Sequence, residues 1–538
     1  MSSLGRASAL LAAGTLVSRA TGLLRTIVLV MLVGASRSEA ADAFAAANQL
    51  PNDVFSLIST GILTAVIVPQ IVQAAAHKDG GSAFISKLFT LGTVVLIVTT
   101  AVAMLLAPFL VSFVAGRASP GMQALAIAFA YWCLPQILFY GLYAMIGETL
   151  NARRIFGPFT WAPVVNNLVS IAGFLILAAA FGGVQTTTES WTPDRIAWLG
   201  GLATLGIALQ ALVLLLFWPR THLSLRPDFR WRGVGLGKTG KLASWTLLMA
   251  VVSLVSGYLQ HQVASEASGQ GASLAVMMNA WLVFMLPYSV IVLSIGTPYF
   301  TQISEHAAAG RDDDVRADIS RSIRILGLFI TGALAAVLAA AIPASRVFTT
   351  DAQGAVDAAL VLVAYLVSLL PLAVLFIVQR TFYAYGDTRT PFLFTILQAA
   401  LVVGTAFGAQ ALWTFGMLAT EHLAAALALG QSFATLLQTI VATWLLRRRL
   451  GGLGTGAWLL SLLRFVVGGV PAAAAGWGVY LLLGGADGWT AGSQLAGAAG
   501  CLVIGPVVLV VYLGVLALLR TPELAAASGL VRRFLPGR

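Results

Sequence analysis

Long apolar runs separated by short polar segments make up most of the chain. Fourteen of these runs are long enough to cross a membrane as a helix, which takes about 20 residues. They lie at approximately 9–34, 41–74, 88–115, 121–149, 158–183, 196–218, 240–262, 271–303, 319–347, 354–385, 390–413, 421–446, 457–483 and 495–519. The runs at 41–74, 271–303 and 354–385 are long and contain or adjoin proline, so we expect kinked or tilted helices there. The pattern predicts an all-α polytopic membrane protein with about 14 transmembrane helices.

The composition leads to the same class of protein. Of the residues, 59% are hydrophobic and 9% are charged, and the mean hydropathy is +0.91. A water-soluble fold cannot bury that much apolar surface. The first run is long, carries arginines and lacks a small-residue cleavage site, so we expect no cleavable signal peptide. Cys133 and Cys501 fall in predicted helices and are expected to be core residues, because two lone cysteines indicate neither a disulfide framework nor a metal site.

The positive charges are distributed unevenly between the two sides of the membrane. If the N-terminus is cytoplasmic, 23 of the 31 lysines and arginines fall in cytoplasmic segments, four in outer loops and four within spans. This asymmetry predicts that both termini are cytoplasmic. Basic segments at the membrane surface attract anionic lipid headgroups, so the net charge of +11 requires no nucleic-acid partner.

Proline-containing segments reveal an internal repeat. The pairs, at offsets of 236, 235, 236 and 233 residues, are Pro51 and Pro287, Pro108 and Pro343, Pro135 and Pro371, and Pro158 and Pro391. Six spans per repeat is an even number, which predicts two lobes of the same orientation related by a pseudo-twofold axis along the membrane normal. Two similar bundles around a midplane site are typical of an alternating-access carrier.

The repeat also divides the chain into segments. The predicted parts are an N-terminal six-helix lobe (1–220), a basic cytoplasmic linker (221–240), a C-terminal six-helix lobe (241–450), helices 13 and 14 (451–520) and a cytoplasmic tail (521–538).

Polar residues inside the first two spans form stripes. At about 100° per residue, the polar and small positions of the first span share one arc of about 120°: Thr15, Ser18, Arg19, Gly22, Arg25 and Thr26. In the second span the stripe runs for roughly 27 Å and contains Asp42, Gln49, Asn52, Asp53, Ser56 and Thr60. Such stripes face a protein interior or a wet cavity, because charges in lipid are costly.

Two interpretations of Arg19 and Arg25 remain open from the residues alone. The structural one is an ion pair with Asp42 or Asp53, or snorkelling to headgroups. The functional one is a cationic cavity for an anionic substrate, since the planar, permanently charged guanidinium suits phosphate.

Polar residues in other spans are weaker candidates for a cavity or a gate. Asn166 and Asn167 line the cavity or bond a neighbouring helix, and Gln260 belongs to a polar cluster near the outer end of the seventh span. Asn279 lies in the eighth span, and Arg380 lies near the cytoplasmic end of the tenth.

The sequence carries none of the signatures of an ATPase, a zinc enzyme or a dinucleotide-binding enzyme. Its loops are too short for an ATPase domain. We therefore expect a transporter that is not an enzyme, with no cofactor and no metal centre. The sequence leaves open whether a coupling ion is used.

Three segments resemble the MurJ (MviN) family of the multidrug/oligosaccharidyl-lipid/polysaccharide (MOP) exporter superfamily: "LVSRATGLLRTIVL", "ADAF…LPN" and "FYAYGDTRTP". The resemblance implies a flippase that moves lipid II, the undecaprenyl-pyrophosphate-linked peptidoglycan precursor, to the outer leaflet of a bacterial plasma membrane. It assigns cavity roles to Arg19, Arg25, Asp42 and Asn52, and it makes helices 13 and 14 a groove for the lipid tail. Cell-wall synthesis enzymes are the expected protein partners.

The sequence departs from this family at several positions. Phe55, Ser56 and Thr60 stand where the family pattern has an arginine and then an acidic residue before Gly61, and Leu282 stands near the position of another cavity arginine. Three alternatives follow: a flippase for another polyprenyl-linked glycan, a cation-coupled MOP-type drug exporter, or a non-transporting scaffold for cell-wall enzymes. The reduced set of arginines favours the first alternative, the arginines argue against the second, and the membrane-crossing polar stripes argue against the third.

Overall fold

The computed structural model describes residues 3–59, 81–153, 155, 157–230 and 240–524. In these ranges the regular secondary structure is helical, and 13 helical segments are long and apolar enough to cross a membrane. They coincide with 13 of the 14 predicted runs. The other run, 41–74, extends into residues 60–80, outside the described ranges. The all-α polytopic class is confirmed.

The chain forms two compact units, 1–269 and 270–538. The helices of the first unit are α1 (Ser3–Val33), α2 (Glu39–Ile58), α3 (Ser82–Leu105), α4 (Ala107–Ala115), α5 (Pro120–Cys133), α6 (Gln136–Ala152), α7 (Gly157–Phe181), α8 (Pro193–Leu212) and α9 (Gly240–Ala264). A 3₁₀ segment, Val213–Thr221, extends α8. Serine caps fix two of the starts: Ser38 accepts from the Ala41 amide and Ser119 from the Met122 amide, both at 3.1 Å.

The second unit contains the remaining helices. They are α10 (Leu274–Pro287), α11 (Leu293–Ala308), α12 (Asp312–Ala339), α13 (Ala341–Arg346), α14 (Ala352–Leu366), α15 (Leu369–Ala384), α16 (Arg389–Thr414), α17 (Leu423–Arg449), α18 (Thr455–Leu482), α19 (Trp489–Gly492) and α20 (Gln494–Leu518). A π-helical turn, Tyr288–Val292, follows Pro287, so the span containing this proline is irregular.

The helix boundaries repeat between the two units. Helices α4, α5, α6 and α7 begin at residues 107, 120, 136 and 157, and α13, α14, α15 and α16 begin at 341, 352, 369 and 389. Each of these spacings is 232 to 234 residues. The breaks fall within the four residues before Pro108, Pro343 and Pro371 and directly at Pro135, because proline lacks an amide donor and disfavours helix in the residue before it.

Helices α18 and α20 pack against α12 through small residues. A Cβ atom on Gly476 would lie 2.3 Å from Val508, and one on Gly332 would lie 2.9 Å from the Tyr512 ring. The Tyr512 hydroxyl donates a 2.9 Å hydrogen bond to the Leu328 carbonyl oxygen. The C-terminal helices therefore form part of the second unit.

Large apolar side chains remain exposed on the spanning helices. Leu105, Leu482 and Leu518 are 81%, 88% and 84% exposed. Such side chains are expected to contact lipid, and the chain is a multi-pass membrane protein.

Candidate functional site

Helix α1 uses part of its predicted polar arc to pack against α7. The Asn167 side-chain amide donates hydrogen bonds of 3.0 Å to the Ser18 carbonyl oxygen and to the Thr21 hydroxyl. A Cβ atom on Gly22 would lie 3.5 Å from the same amide nitrogen, so this small residue allows the close approach. Asn167, which is buried, therefore joins two helices and lies beside the predicted site residue Ser18.

The two arginines of α1 differ in their surroundings. Arg19 is exposed, whereas Arg25 is half-buried and close enough to Tyr140 on α6 to interact with it electrostatically. Among the described residues, neither guanidinium has a hydrogen-bond or ion-pair partner. Both arginines therefore keep their donors available in the described part of the chain, as an anion-binding site requires.

An aromatic pair lies next to Arg25. The Phe55 and Tyr140 rings are stacked, with centroids 5.7 Å apart and planes 24° apart. Tyr140 is also within electrostatic range of Arg25, so residues of α1, α2 and α6 lie near one another here. Phe55 therefore contributes an apolar ring beside Tyr140.

Asp42 lies in the first turn of α2 and is 1% exposed. A carboxylate in this position is stabilised by the positive end of the helix dipole. One carboxylate oxygen accepts a 2.6 Å hydrogen bond from the Ser268 hydroxyl. Asp42 is therefore a fixed, buried group at the start of the predicted stripe.

Neutral donors hold both oxygens of the Asp53 carboxylate. One accepts a 2.7 Å hydrogen bond from the Gln49 amide, and the other accepts a 2.9 Å bond from the Tyr258 hydroxyl. Tyr258 belongs to α9 and also packs edge-on against Phe113 of α4, with centroids 5.7 Å apart. The second polar stripe thus includes a tyrosine from a helix 205 residues away, which sequence periodicity did not identify.

Replacing Tyr258 with phenylalanine should weaken the attachment of α9 to α2. The variant keeps the ring contact with Phe113 but removes a hydrogen bond to a carboxylate, so we expect the free energy of unfolding to fall by about 1–3 kcal/mol. Thermal unfolding of the purified protein measures this loss. Tyr131→Phe, which changes a tyrosine on α5 that is 44% exposed, is the matched control. Equal stability of the two variants would show that the bond to Asp53 contributes nothing.

Asn52 and Ser56 lie on the exposed side of α2. The Ser56 hydroxyl donates a 2.8 Å hydrogen bond to the Asp53 carbonyl oxygen, within the helix. Thr60, the last member of the predicted stripe, falls outside the described residues.

Asn166 and Gln260 are buried in the first unit. The Asn166 side-chain oxygen accepts a 3.4 Å hydrogen bond from the Ser170 hydroxyl. A Cβ atom on Gly206 would lie 2.3 Å from that oxygen, so Asn166 faces α8 at a close helix contact. Gln260 lies on α9, two residues after Tyr258.

The other two predicted residues belong to the second unit. Asn279 lines a small cleft with Val276 and Phe348. The Arg380 guanidinium lies 5.2 Å from the ring centroids of both Phe300 and Phe376, an arrangement typical of cation–π contacts. Across the described ranges, no three His, Cys, Asp or Glu residues are grouped so that they could hold a metal ion.

The fold and this site define a class of protein: a polytopic helical transporter with two arginines, two fixed carboxylates and amide groups in its first bundle. A sequence model of the family described as "Lipid II flippase MurJ" matches residues 30–497. The chain belongs to this family.

Individual relatives agree with this assignment. A protein from Synechocystis named "Probable lipid II flippase MurJ" is 25% identical over 536 residues, covering 97% of this chain and 96% of the relative. One of the same name from Haemophilus influenzae is 28% identical over 401 residues, covering 70% and 75%.

Solved structures share the fold. One named "Lipid II flippase MurJ, inward closed conformation" is similar with a TM-score of 0.69 and 17% identity, covering 94% of this chain and 97% of that one. An inward-facing multidrug resistance MATE family transporter of the MOP superfamily has a TM-score of 0.63 and 15% identity, covering 81% and 96%.

Proposed function

We propose that this protein moves lipid II from the inner to the outer leaflet of a bacterial plasma membrane by alternating access. Membership of the lipid II flippase family supports lipid II as the substrate. The single structural observation that carries the proposal is the pair of α1 arginines, which have no partner among the described residues. A charge at the bilayer centre costs at least about 2.5 kcal/mol, so two such arginines need a compensating anion.

Arg19 and Arg25 bind the pyrophosphate of the substrate. Guanidinium groups form short, charge-assisted and often bidentate hydrogen bonds to phosphate oxygens. The two residues are six positions apart on one helix, about 9 Å along its axis, so each can contact a different part of the headgroup.

The acidic and amide residues of α2 orient the sugars or the arginines. Asp42 and Asp53 are each fixed by a hydroxyl donor, and Gln49 fixes the second oxygen of Asp53. Asn52 is exposed and offers both a donor and an acceptor to a sugar hydroxyl. Fixed groups of this kind reduce the entropy lost when a ligand binds.

The polyprenyl tail stays in the lipid phase, alongside α18 and α20. These helices expose large apolar side chains, among them Leu482 at 88% and Leu502 at 78%. A tail that remains in lipid avoids the cost of burying a long chain within the protein, and only the polar headgroup then needs a polar path.

Both termini are cytoplasmic in this proposal, as the distribution of positive charge predicts. Anionic lipids and cell-wall synthesis enzymes are the further partners we propose. The protein is a transporter that performs no covalent chemistry and uses no cofactor, and an ion gradient, the membrane potential or substrate flux drives the cycle.

Complementation tests the proposed activity. A bacterium whose own lipid II translocase is depleted should regain growth when it expresses this chain. The control is the same chain with Arg25→Ala, which should reach the membrane in equal amount and fail to restore growth.

The outcome separates the proposal from its rivals. Suppose that the well-inserted wild-type chain fails to restore growth but rescues a strain that lacks a flippase for another polyprenyl-linked glycan. That glycan, and not lipid II, would then be the substrate.

A further inference from the structure

An extended segment lies along the start of α3. This segment, the strap, comprises residues 223–230. The backbone amides of Ser224, Arg226 and Asp228 donate hydrogen bonds to the hydroxyls of Ser82, Ser86 and Thr90, at 3.4, 3.1 and 3.0 Å. The Ser86 hydroxyl in turn donates to the Ser224 carbonyl oxygen at 3.1 Å.

The spacing of the two elements explains this pairing. Four residues of an α-helix rise about 6.0 Å. Two residues of an extended chain span about 6.6 Å. Hydroxyls one turn apart on α3 therefore lie opposite every second amide of the strap. The resulting hydrogen bonds hold the strap against the helix in place of pairing with a β-strand.

Two adjoining cavities lie between the strap and α3. The polar one, of about 590 Å³, is lined by Ser82, Ser86, Ser224, Arg226, Asp228 and Arg230, among others. The apolar one, of about 330 Å³, is lined by Phe89, Thr93, Val94, Leu225, Pro227 and Phe229, among others. Both sizes are within the range of about 300–1,000 Å³ that is typical of ligand sites. The cavities share Ser86, Arg226, Pro227 and Phe229, so they form one groove with a polar half and an apolar half.

The polar half carries an available positive charge. Arg230 forms hydrogen bonds of 3.1 and 3.2 Å to the two oxygens of the Asp228 carboxylate. These bonds, together with a bond from the Arg230 amide, lower the pKa of Asp228, so this carboxylate stays ionised. Arg230 is therefore paired with Asp228. The Arg226 side chain is exposed and, within the described residues, has no bonding partner.

The apolar half of the groove has exposed apolar side chains, which favour the binding of a hydrocarbon chain. Phe229 is 66% exposed and Leu225 is 39% exposed. The groove lies at the beginning of the candidate membrane span Ser82–Leu105, where a headgroup and the first part of an acyl chain lie side by side. Basic pockets in this position on membrane proteins bind anionic lipid headgroups.

We propose that the groove between the strap and α3 binds an anionic glycerophospholipid, with the phosphate against Arg226 and one acyl chain against Val94, Leu225 and Phe229. The arginine, the Ser82 and Ser224 hydroxyls that line the polar half, and the apolar wall match the three parts of such a lipid. This site gives a location to the anionic-lipid partner proposed above. It lies on residues separate from those assigned to lipid II, so its failure would leave the lipid II proposal unaffected.

Lipid binding to the purified full-length protein tests this proposal. Native mass spectrometry in detergent would compare the binding of phosphatidylglycerol and phosphatidylcholine to the wild type and to Arg226→Gln. We expect preferential binding of phosphatidylglycerol, reduced about five-fold by the substitution. The matched control is Arg220→Gln, which removes an exposed arginine that stacks on Phe217 outside the groove and should leave binding unchanged.

Three results would overturn the proposal. They are equal affinity for the two lipids, an equal loss in Arg220→Gln, and displacement of phosphatidylglycerol by millimolar inorganic phosphate. The last result would identify a site for free phosphate. Because the Arg226 side chain makes no hydrogen bond among the described residues and its backbone amide is unaffected by substitution, we expect an unchanged unfolding temperature for Arg226→Gln.

Discussion

Replacing Arg25 with alanine should reduce lipid II flipping about 10- to 100-fold, since hydrogen bonds to charged groups contribute about 1.5–3 kcal/mol each. Arg25 is half-buried beside Tyr140 and, within the described residues, has no acceptor of its own. Its guanidinium is therefore available for the substrate phosphate. Arg19→Ala should have an effect of the same order, because both residues contact the pyrophosphate in our proposal.

Two further variants make this prediction specific. Arg25→Lys should recover part of the activity, because lysine keeps the charge but lacks the bidentate geometry. Arg220→Ala removes an exposed arginine that stacks on Phe217 and should retain full activity. If the correctly inserted Arg25→Ala variant flipped lipid II at the wild-type rate, Arg25 would not be part of the substrate-binding site.

Arg346→Met should destabilise the second unit by at least about 3 kcal/mol, because it removes three hydrogen bonds that a buried charged group donates to carbonyl oxygens. Arg346 is 5% exposed and donates to the carbonyl oxygens of Ala491, Thr349 and Gly492, at 2.6, 2.5 and 3.3 Å. Burial lowers the pKa of this guanidinium, and Asp351 acts in the opposite direction. The side chain therefore fixes the short helix α19 to α13.

Thermal unfolding in detergent measures the effect of this substitution. Arg311→Met is the matched control, because the Arg311 side chain is 56% exposed and its ion pair with Asp314 contributes little. A loss of stability in Arg346→Met no larger than in Arg311→Met would show that the carbonyl contacts are dispensable.

Much of the fold was predictable because the membrane constrains it so strongly. A lipid-facing segment has to satisfy its own backbone hydrogen bonds, so apolar length alone identified 13 of the spans. The proline of the run 354–385 indicated the break near residue 371 for a similar reason, since a missing amide is a local property.

The contacts within the site were less predictable. The polar arc of α1 correctly grouped Ser18 with Gly22. Periodicity does not, however, distinguish a helix face that packs on another helix from one that is exposed. Ser18 contacts Asn167, whereas its neighbour Arg19 is exposed. The bond from Tyr258 to Asp53 joins residues 205 positions apart, and no local pattern encodes it. Nothing in the hydrophobic pattern or the charge distribution indicated that the Arg346 side chain is buried.

The central claim is that this chain carries lipid II to the outer leaflet, and cleavage of lipid II from outside the cell measures this directly. Cells depleted of their own translocase would express the wild type or Arg25→Ala and then be exposed to an added enzyme that cleaves only outward-facing lipid II. We expect cleavage products with the wild type and a loss of at least about ten-fold with Arg25→Ala. Absence of cleavage products from cells with abundant, membrane-inserted wild-type protein would contradict the account.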